Sequence, residues 1–251
     1  MKRYFKGLYM SFGMFCAIPQ PVHLWDNKAT NLILPFFPLV GGLIGVLWWG
    51  VLKVFVLFDI HIIFASAVLS LIPFVVSGFL HLDGYMDTSD AVLSRRPIEE
   101  KLQILKDPHV GAFGVIMLAV LFLLQFAFMY IVIENDRHIV MLIVIPVISR
   151  CCAALSIFCL KIIPQSSYAN MLKENTGALH KIFVTFITIL CVALLFYISG
   201  ITGFIVFLSA IAGFTLAITW TYRSLKGISG DLAGFALVIS ELCALAAMAL
   251  M

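Results

Sequence analysis

Charge is scarce in this chain. Of its 251 residues only 12% are Asp, Glu, Lys or Arg, against roughly 25% in a soluble domain. That shortage excludes an ordinary water-soluble fold, and the other side of it is a hydrophobic content of 63% and a mean hydropathy of +1.10. No long stretch of soluble composition interrupts the apolar runs, so residues 1–251 read as one membrane domain. A basic stripe with interleaved aromatics is also missing, and with a net charge of only +3 a nucleic-acid partner is excluded. The six cysteines, Cys16, Cys151, Cys152, Cys159, Cys191 and Cys243, all lie in apolar stretches. No C-x-x-C pair or nearby His at metal spacing accompanies them, so they read as small buried hydrophobes. The N-terminus has the charged start and short apolar run of a signal peptide but no A-x-A cleavage site, and Pro19 and Pro21 follow. It reads as a retained interfacial helix. Neither a fixed-period repeat nor a low-complexity segment is present.

What the chain has in quantity is long apolar segments. A transmembrane helix needs about twenty mainly apolar residues, and seven segments qualify: roughly Pro35–Phe58, Ile62–His81, Val110–Ile133, Ile139–Ile163, Ile182–Ser199, Thr202–Trp220 and Leu232–Met251. The fold class expected is therefore an all-α integral membrane protein, a bundle of about seven helices with an N-terminal interfacial helix, in the lipid bilayer. Lys and Arg collect in cytoplasmic loops. With the N-terminus in the cytoplasm, of the 16 Lys and Arg residues only Arg137 falls in an outer region, and Lys53 and Arg150 fall within helices. The same orientation puts the longer polar connections, 82–109, 164–181 and 221–231, on the cytoplasmic side, where loops carry function disproportionately.

The richest chemistry sits in the first of these connections. Asp83, Asp87 and Asp90 are spaced i, i+4, i+7, and at about 100° per residue a helix gathers them within about 60° of one face. Three carboxylates on one stripe repel each other unless protons or a cation intervene. Oxygen-only donors favour Mg²⁺ or Mn²⁺ over zinc or iron, so the stripe reads as a metal site, with a solvated helix end as the plainer alternative. His81 is either an interfacial hydrogen-bonding residue or a ligand or proton donor. Gly84 allows close backbone approach. Arg95, Arg96, Lys101 and Lys106 form a cationic rim that can engage phosphate or simply mark the inner face. Asp107 offers a fourth oxygen ligand or a helix cap before Pro108. The G-A-F-G turn at Gly111 and Gly114 enters a helix, where backbone N–H groups can approach an anion.

Further along, Arg150 falls mid-segment, where an unpaired charge costs at least ~2.5 kcal/mol, and Glu241 raises the same question in the last helix. They read either as a structural pair or as substrate contacts. Asp231 begins that last helix, where a carboxylate can cap it or reach a shared site. Tyr168, in the connection 164–181, can contact a polar substrate.

These residues resemble a known family. The run GFLHLDGYMDTSDAVLSRRPIEEKLQILKDPHVGAFG is similar to the signature of the cobalamin synthase (adenosylcobinamide-GDP ribazoletransferase) family, roughly G-G-x-H-x-D-G-x-x-D-x-x-D, a charged helix, then K-D-x-x-x-G-x-x-G. His81, Asp83, Gly84, Asp87, Asp90, Lys106, Asp107, Gly111 and Gly114 match it in order and spacing. The early IPQP, the PLVGGLIG run and the terminal GDLAGFALVISEL extend the resemblance over nearly the whole chain. Ser77 departs from it where a second Gly is common, and Asn170 where a basic residue is frequent.

The resemblance implies the last assembly step of coenzyme B12 in the cytoplasmic membrane of a prokaryote, with the active site facing the cytoplasm. The ribose hydroxyl of α-ribazole, or of its 5′-phosphate, displaces GMP from adenosylcobinamide-GDP with Mg²⁺ as cofactor. It implies Asp83, Asp87, Asp90 and Asp107 as metal ligands, Asp90 as the base by analogy with the CDP-alcohol phosphotransferases, and Arg95, Arg96 and Lys106 as phosphate contacts. It leaves room for homo-oligomers or for assembly with other B12-pathway enzymes. An enzyme like the CDP-alcohol phosphotransferases or prenyltransferases acting on another diphosphate is the alternative, and an ion-coupled transporter is the other.

Overall fold

The computed structural model describes residues 2–135 and 138–251, all helices and connections apart from one isolated bridge between Ile162 and Ile228. The helices in order are α1 (Lys2–Phe15), α2 (Ile33–Leu57), α3 (Ile62–Val76), α4 (Leu80–Leu93), α5 (Ile98–Ile104), α6 (Ala112–Glu134), α7 (Ile145–Cys159), α8 (Ser167–Lys173), α9 (Ala178–Ser199), α10 (Ile201–Leu225) and α11 (Gly230–Leu250), with 3₁₀ turns at Asn27–Leu32 and Ile139–Ile143. Among the described residues six spans are long and apolar enough to cross a membrane, and seven if the bent pair α3–α4 counts as one. The seven-helix expectation stands on that count. Arg137, the basic residue expected in an outer loop, lies outside the described residues.

Burial sorts the spans into two kinds. In the most apolar stretches of Ile139–Cys159, the 3₁₀ turn with α7, and of α11, 72% of residues are buried, against 22% in α6 and 17% in α9. A helix that is apolar on every face yet exposed is one that lipid surrounds, so α6 and α9 form the outside of the bundle. By the same measure α7 and α11 are its centre, and these two central helices carry Arg150 and Glu241.

The second expected span, Ile62–His81, is corrected. It ends at Val76, and after Ser77–Phe79 the chain sets off again as α4, bent by 93° from α3. Hydropathy does not register the break because the residues on both sides are apolar. The backbone makes it with two successive left-handed residues, Gly78 at φ 63° and Phe79 at φ 60°. Glycine takes that conformation freely, whereas a bulky Phe does not. The N-terminal segment holds the corner: the Ala17 N–H donates to the Val76 carbonyl at 2.8 Å, satisfying one of the last acceptors of α3. The bend sets the helix bearing the aspartates at 93° to α3, where Gly84 packs on the start of α11.

Hydrogen bonds gather the polar connections at one end. Lys101 Nζ donates to Ser224 Oγ at 2.7 Å, Asn31 Nδ2 donates to the Asn175 carbonyl at 3.0 Å, and Arg3 donates to Asn31 Oδ1 at 2.8 Å. The Ile163 N–H donates to the Ile228 carbonyl at 2.9 Å. The N-terminus and the three longer polar connections therefore share one end of the molecule. α1 belongs to the same end: it packs on α2, and Lys6 pairs with Asp26 at 2.8 Å.

Candidate active site

The expected stripe of aspartates forms on α4, because i, i+4, i+7 spacing and a helix suffice to make it. Its three members have different surroundings. Asp83 is exposed, Asp87 is half-buried and Asp90 is buried. Among the described residues neither Asp83 nor Asp87 accepts a hydrogen bond from the protein, so their oxygens are open to a ligand. Asp90 is committed: its two oxygens accept the N–H groups of Gly111 at 2.9 Å and Gly114 at 3.0 Å.

That pairing changes the reading of three residues at once. The G-A-F-G turn does receive an anion at the start of α6, as its geometry invites, but the anion is Asp90 and not substrate phosphate. Any Cβ at Gly111 or Gly114 would run into that carboxylate, which explains both glycines. Two backbone bonds make Asp90 the anchor of α6, and we propose that the base is one of the other acids. Asp90→Asn keeps one acceptor oxygen and loses the charge. We expect it to cost about 1.5–3 kcal/mol, the worth of a hydrogen bond to a charged group, read as a lowered thermal midpoint, with activity falling only in proportion.

Asp107 is likewise spoken for. Its Oδ1 accepts the His109 N–H at 3.0 Å and contacts His109 Nδ1 at 2.7 Å. The backbone bond, followed by the side-chain bond, holds its carboxyl below the usual carboxylate range. It closes a surface turn through Oδ1 and lines the same surface pocket as Asp90. In the cationic rim Arg96 pairs with Glu100 at 3.1 Å on an exposed surface, while Arg95, Lys106 and their neighbours stay in solvent. They are positioned to meet a phosphate, not to build the core of a site.

A fourth acid completes the group from another element. Gly84 lets α4 approach the start of α11 so closely that a Cβ there would lie 2.8 Å from the Asp231 Cα. Asp231 is thereby drawn beside the stripe, and the charges of Asp83, Asp231 and Asp90 all bear on Asp87. Ser229 caps α11, accepting the Leu232 N–H at 3.3 Å and donating to Asp231 Oδ2 at 3.2 Å. The positive end of α11 helps to hold these carboxylates together. Gly84 and Asp231 are thus brought to the site as expected, Gly84 through packing.

Arg150 and Glu241 are not part of it. They form a fully buried ion pair between α7 and α11, to which Ser149 Oγ adds a bond to Glu241 Oε1 at 2.8 Å and accepts one from Arg150 at 3.0 Å. Of the two readings open to them, the structural pair is the one this fold forms, since a buried charge needs a partner at hand. Ser149, next to Arg150 in sequence, is the member that sequence reasoning passed over.

His81 and Tyr168 are brought together elsewhere, in the wall of a cavity of about 420 Å³ that also reaches Asp231. His81 is buried with Nδ1 unpartnered. Its ring is stacked on Phe15 at 6.3 Å and tilted against Phe37 at 5.7 Å. Neither Phe carried a signal in the sequence, because a lone Phe in an apolar run is indistinguishable from core.

Hard carboxylate oxygens suit Mg²⁺ or Mn²⁺. Among the described residues no three Asp, Glu, His or Cys side chains form a ready cage for a metal. An open donor set fits Mg²⁺, which takes one or two carboxylates and completes its sphere with water and substrate phosphates.

Fold and site together define a polytopic helical membrane protein with a carboxylate-lined site at the polar end of its bundle. The sequence profile of the cobalamin-5-phosphate synthase family matches residues 7–249, and the chain belongs to that family, a family of cobalamin synthesis. It is 39% identical over 244 residues to the adenosylcobinamide-GDP ribazoletransferase of Clostridium perfringens (strain 13 / Type A), covering 96% of each chain. The protein of the same name from Clostridium botulinum (strain Alaska E43 / Type E3) is 36% identical over 98% of this chain and 97% of its own. That of Lachnoclostridium phytofermentans is 30% identical over 96% and 92%. No solved structure matches.

Proposed function

We propose that this chain transfers the adenosylcobinamide phosphate group from adenosylcobinamide-GDP to the ribose 3′-hydroxyl of α-ribazole or its 5′-phosphate. The products are GMP and adenosylcobalamin or its 5′-phosphate. The observation that carries the reading is the pair of uncommitted carboxylates, Asp83 and Asp87, facing Asp231 at the polar end of the bundle, in a member of this family. The hydroxyl oxygen bonds to the phosphorus on the cobinamide side, and the bond from that phosphorus to the GMP oxygen breaks. The hydroxyl proton passes to a carboxylate of the group. With Asp90 bound to Gly111 and Gly114, the acceptor is Asp83, Asp87 or Asp231.

Asp83 and Asp87 would hold Mg²⁺, which would supply charge neutralisation on the diphosphate oxygens. Arg95, Arg96 and Lys106 attract the anionic substrate to this end, and their exposure suits them to steering more than to tight binding. The basic residues of the N-terminus and the three longer polar connections share this end, so we assign it to the cytoplasm of a prokaryotic cell.

The test is turnover by the purified chain in a lipid nanodisc. Adenosylcobinamide-GDP and α-ribazole should yield GMP and a cobalamin product in equal amounts. No product, with isotope uptake into proteoliposomes instead, would support a transporter.

A further inference from the structure

The cavity of about 420 Å³ beside the acid group has a wall too particular to be a packing fault. Phe15 and Phe37 pack at 4.2 Å between ring centroids, and both lie against the His81 ring. Ala153, Ala233 and Leu237 close the wall from the two central helices. The polar side chains that reach it are His81, Asp231 and the exposed Tyr168. An aromatic, largely apolar wall with few polar groups is the ordinary lining of a site for a small flat ring system. Its volume lies low in the ~300–1,000 Å³ range of such sites, enough for one heteroaromatic base and too little for a corrin.

Three bases take part in the proposed reaction, guanine, the adenine of the adenosyl group and the base of α-ribazole, and the wall distinguishes them, since an apolar wall disfavours the exocyclic amino group that both purines carry. Guanine carries an amino group, a ring N–H and a carbonyl along its edge, more polar groups than Asp231 and the exposed Tyr168 can meet in a wall otherwise apolar. A benzimidazole linked to ribose offers a single free ring nitrogen, an acceptor, and otherwise apolar edges.

Resting on the reaction proposed above, we infer that this cavity binds the benzimidazole base of α-ribazole. Phe15, Phe37 and His81 form its aromatic wall. Asp231 belongs both to the cavity wall and to the carboxylate group, so a base seated here hangs its ribose toward Asp231 and the open oxygens of Asp83 and Asp87. The acceptor alcohol is thereby delivered base first, from the apolar side. The anionic donor comes from the basic side.

The test fills and enlarges the cavity away from the acids. Ala233→Leu, with its larger side chain in the wall, should raise KM for α-ribazole about tenfold or more, as overpacking does, and leave KM for adenosylcobinamide-GDP within about twofold. Leu237→Ala should improve turnover of a riboside whose base bears an additional ring, and this variant decides if Ala233→Leu loses its thermal transition. Equilibrium dialysis with free 5,6-dimethylbenzimidazole supplies a readout besides turnover: wild type should bind it and Ala233→Leu should not. A rise in KM for adenosylcobinamide-GDP instead, or competition by guanosine and not by the benzimidazole, would overturn the assignment. Absence of benzimidazole binding to wild type would overturn it as well. Benzimidazole binding lost in Ala233→Leu, in a chain that releases no GMP, would leave the cavity's ligand in place and remove the proposed reaction.

Discussion

Asp87→Asn, and separately Asp83→Asn, should reduce Mg²⁺-dependent GMP release by about 10²–10³-fold, the scale on which loss of a transition-state charge stabiliser is felt. Membrane insertion and thermal midpoint should stay near those of wild type. The contrast between stability and activity follows from the surroundings of the two side chains. Neither accepts a protein hydrogen bond among the described residues, and Asp87 stands where the charges of Asp83, Asp231 and Asp90 converge. Removing a negative charge from such a place relieves repulsion and breaks nothing that holds helices together. Asp90 behaves in the opposite way, because its carboxylate ties α4 to the start of α6 through Gly111 and Gly114. Adjacent members of one sequence motif should therefore give opposite patterns of stability and activity. Turnover by Asp87→Asn at the wild-type rate would remove the metal assignment.

Glu241→Gln should destabilise the fold by about 3–5 kcal/mol, the cost of leaving a buried charge without its partner. The charge left behind is Arg150, 1% exposed in the middle of the bundle. Ser149→Ala, which removes a neutral hydrogen-bond partner of Glu241 and Arg150, should cost only about 1 kcal/mol. Replacing both charges together, with Arg150→Met and Glu241→Leu, should restore much of the stability, since two apolar groups of similar volume leave no orphaned charge. Thermal unfolding in detergent measures all three. A Glu241→Gln protein with an unchanged midpoint and a raised KM would return this pair to the substrate site.

Several of these features are legible in the sequence for identifiable reasons. α6 and α9 face lipid on most sides, so every face is apolar and a hydropathy count finds them. The acid face of α4 needs only the helix repeat to form. That Arg150 requires a partner follows from the cost of burying charge. What the sequence leaves open are pairings across distance. Glu241 is 91 residues from Arg150, and the anion at the start of α6 lies 21 residues before Gly111. The G-A-F-G turn announces that an anion belongs there and is silent on which one. The corner at Ser77–Phe79 is hidden for another reason: apolar residues continue through it, and only Gly78 hints at a left-handed turn. Asp231 joins the group through the missing side chain of Gly84, an approach that no local pattern encodes.

The most direct measurement is Mn²⁺ binding by electron paramagnetic resonance, with adenosylcobinamide-GDP present and Mn²⁺ in place of Mg²⁺. The wild-type chain should hold the ion, Asp83→Asn and Asp87→Asn should lose it, and Asp90→Asn should keep it. Retention by Asp87→Asn, or wild-type turnover that continues undiminished in EDTA, would contradict the claim that these two open carboxylates hold the cation and its diphosphate.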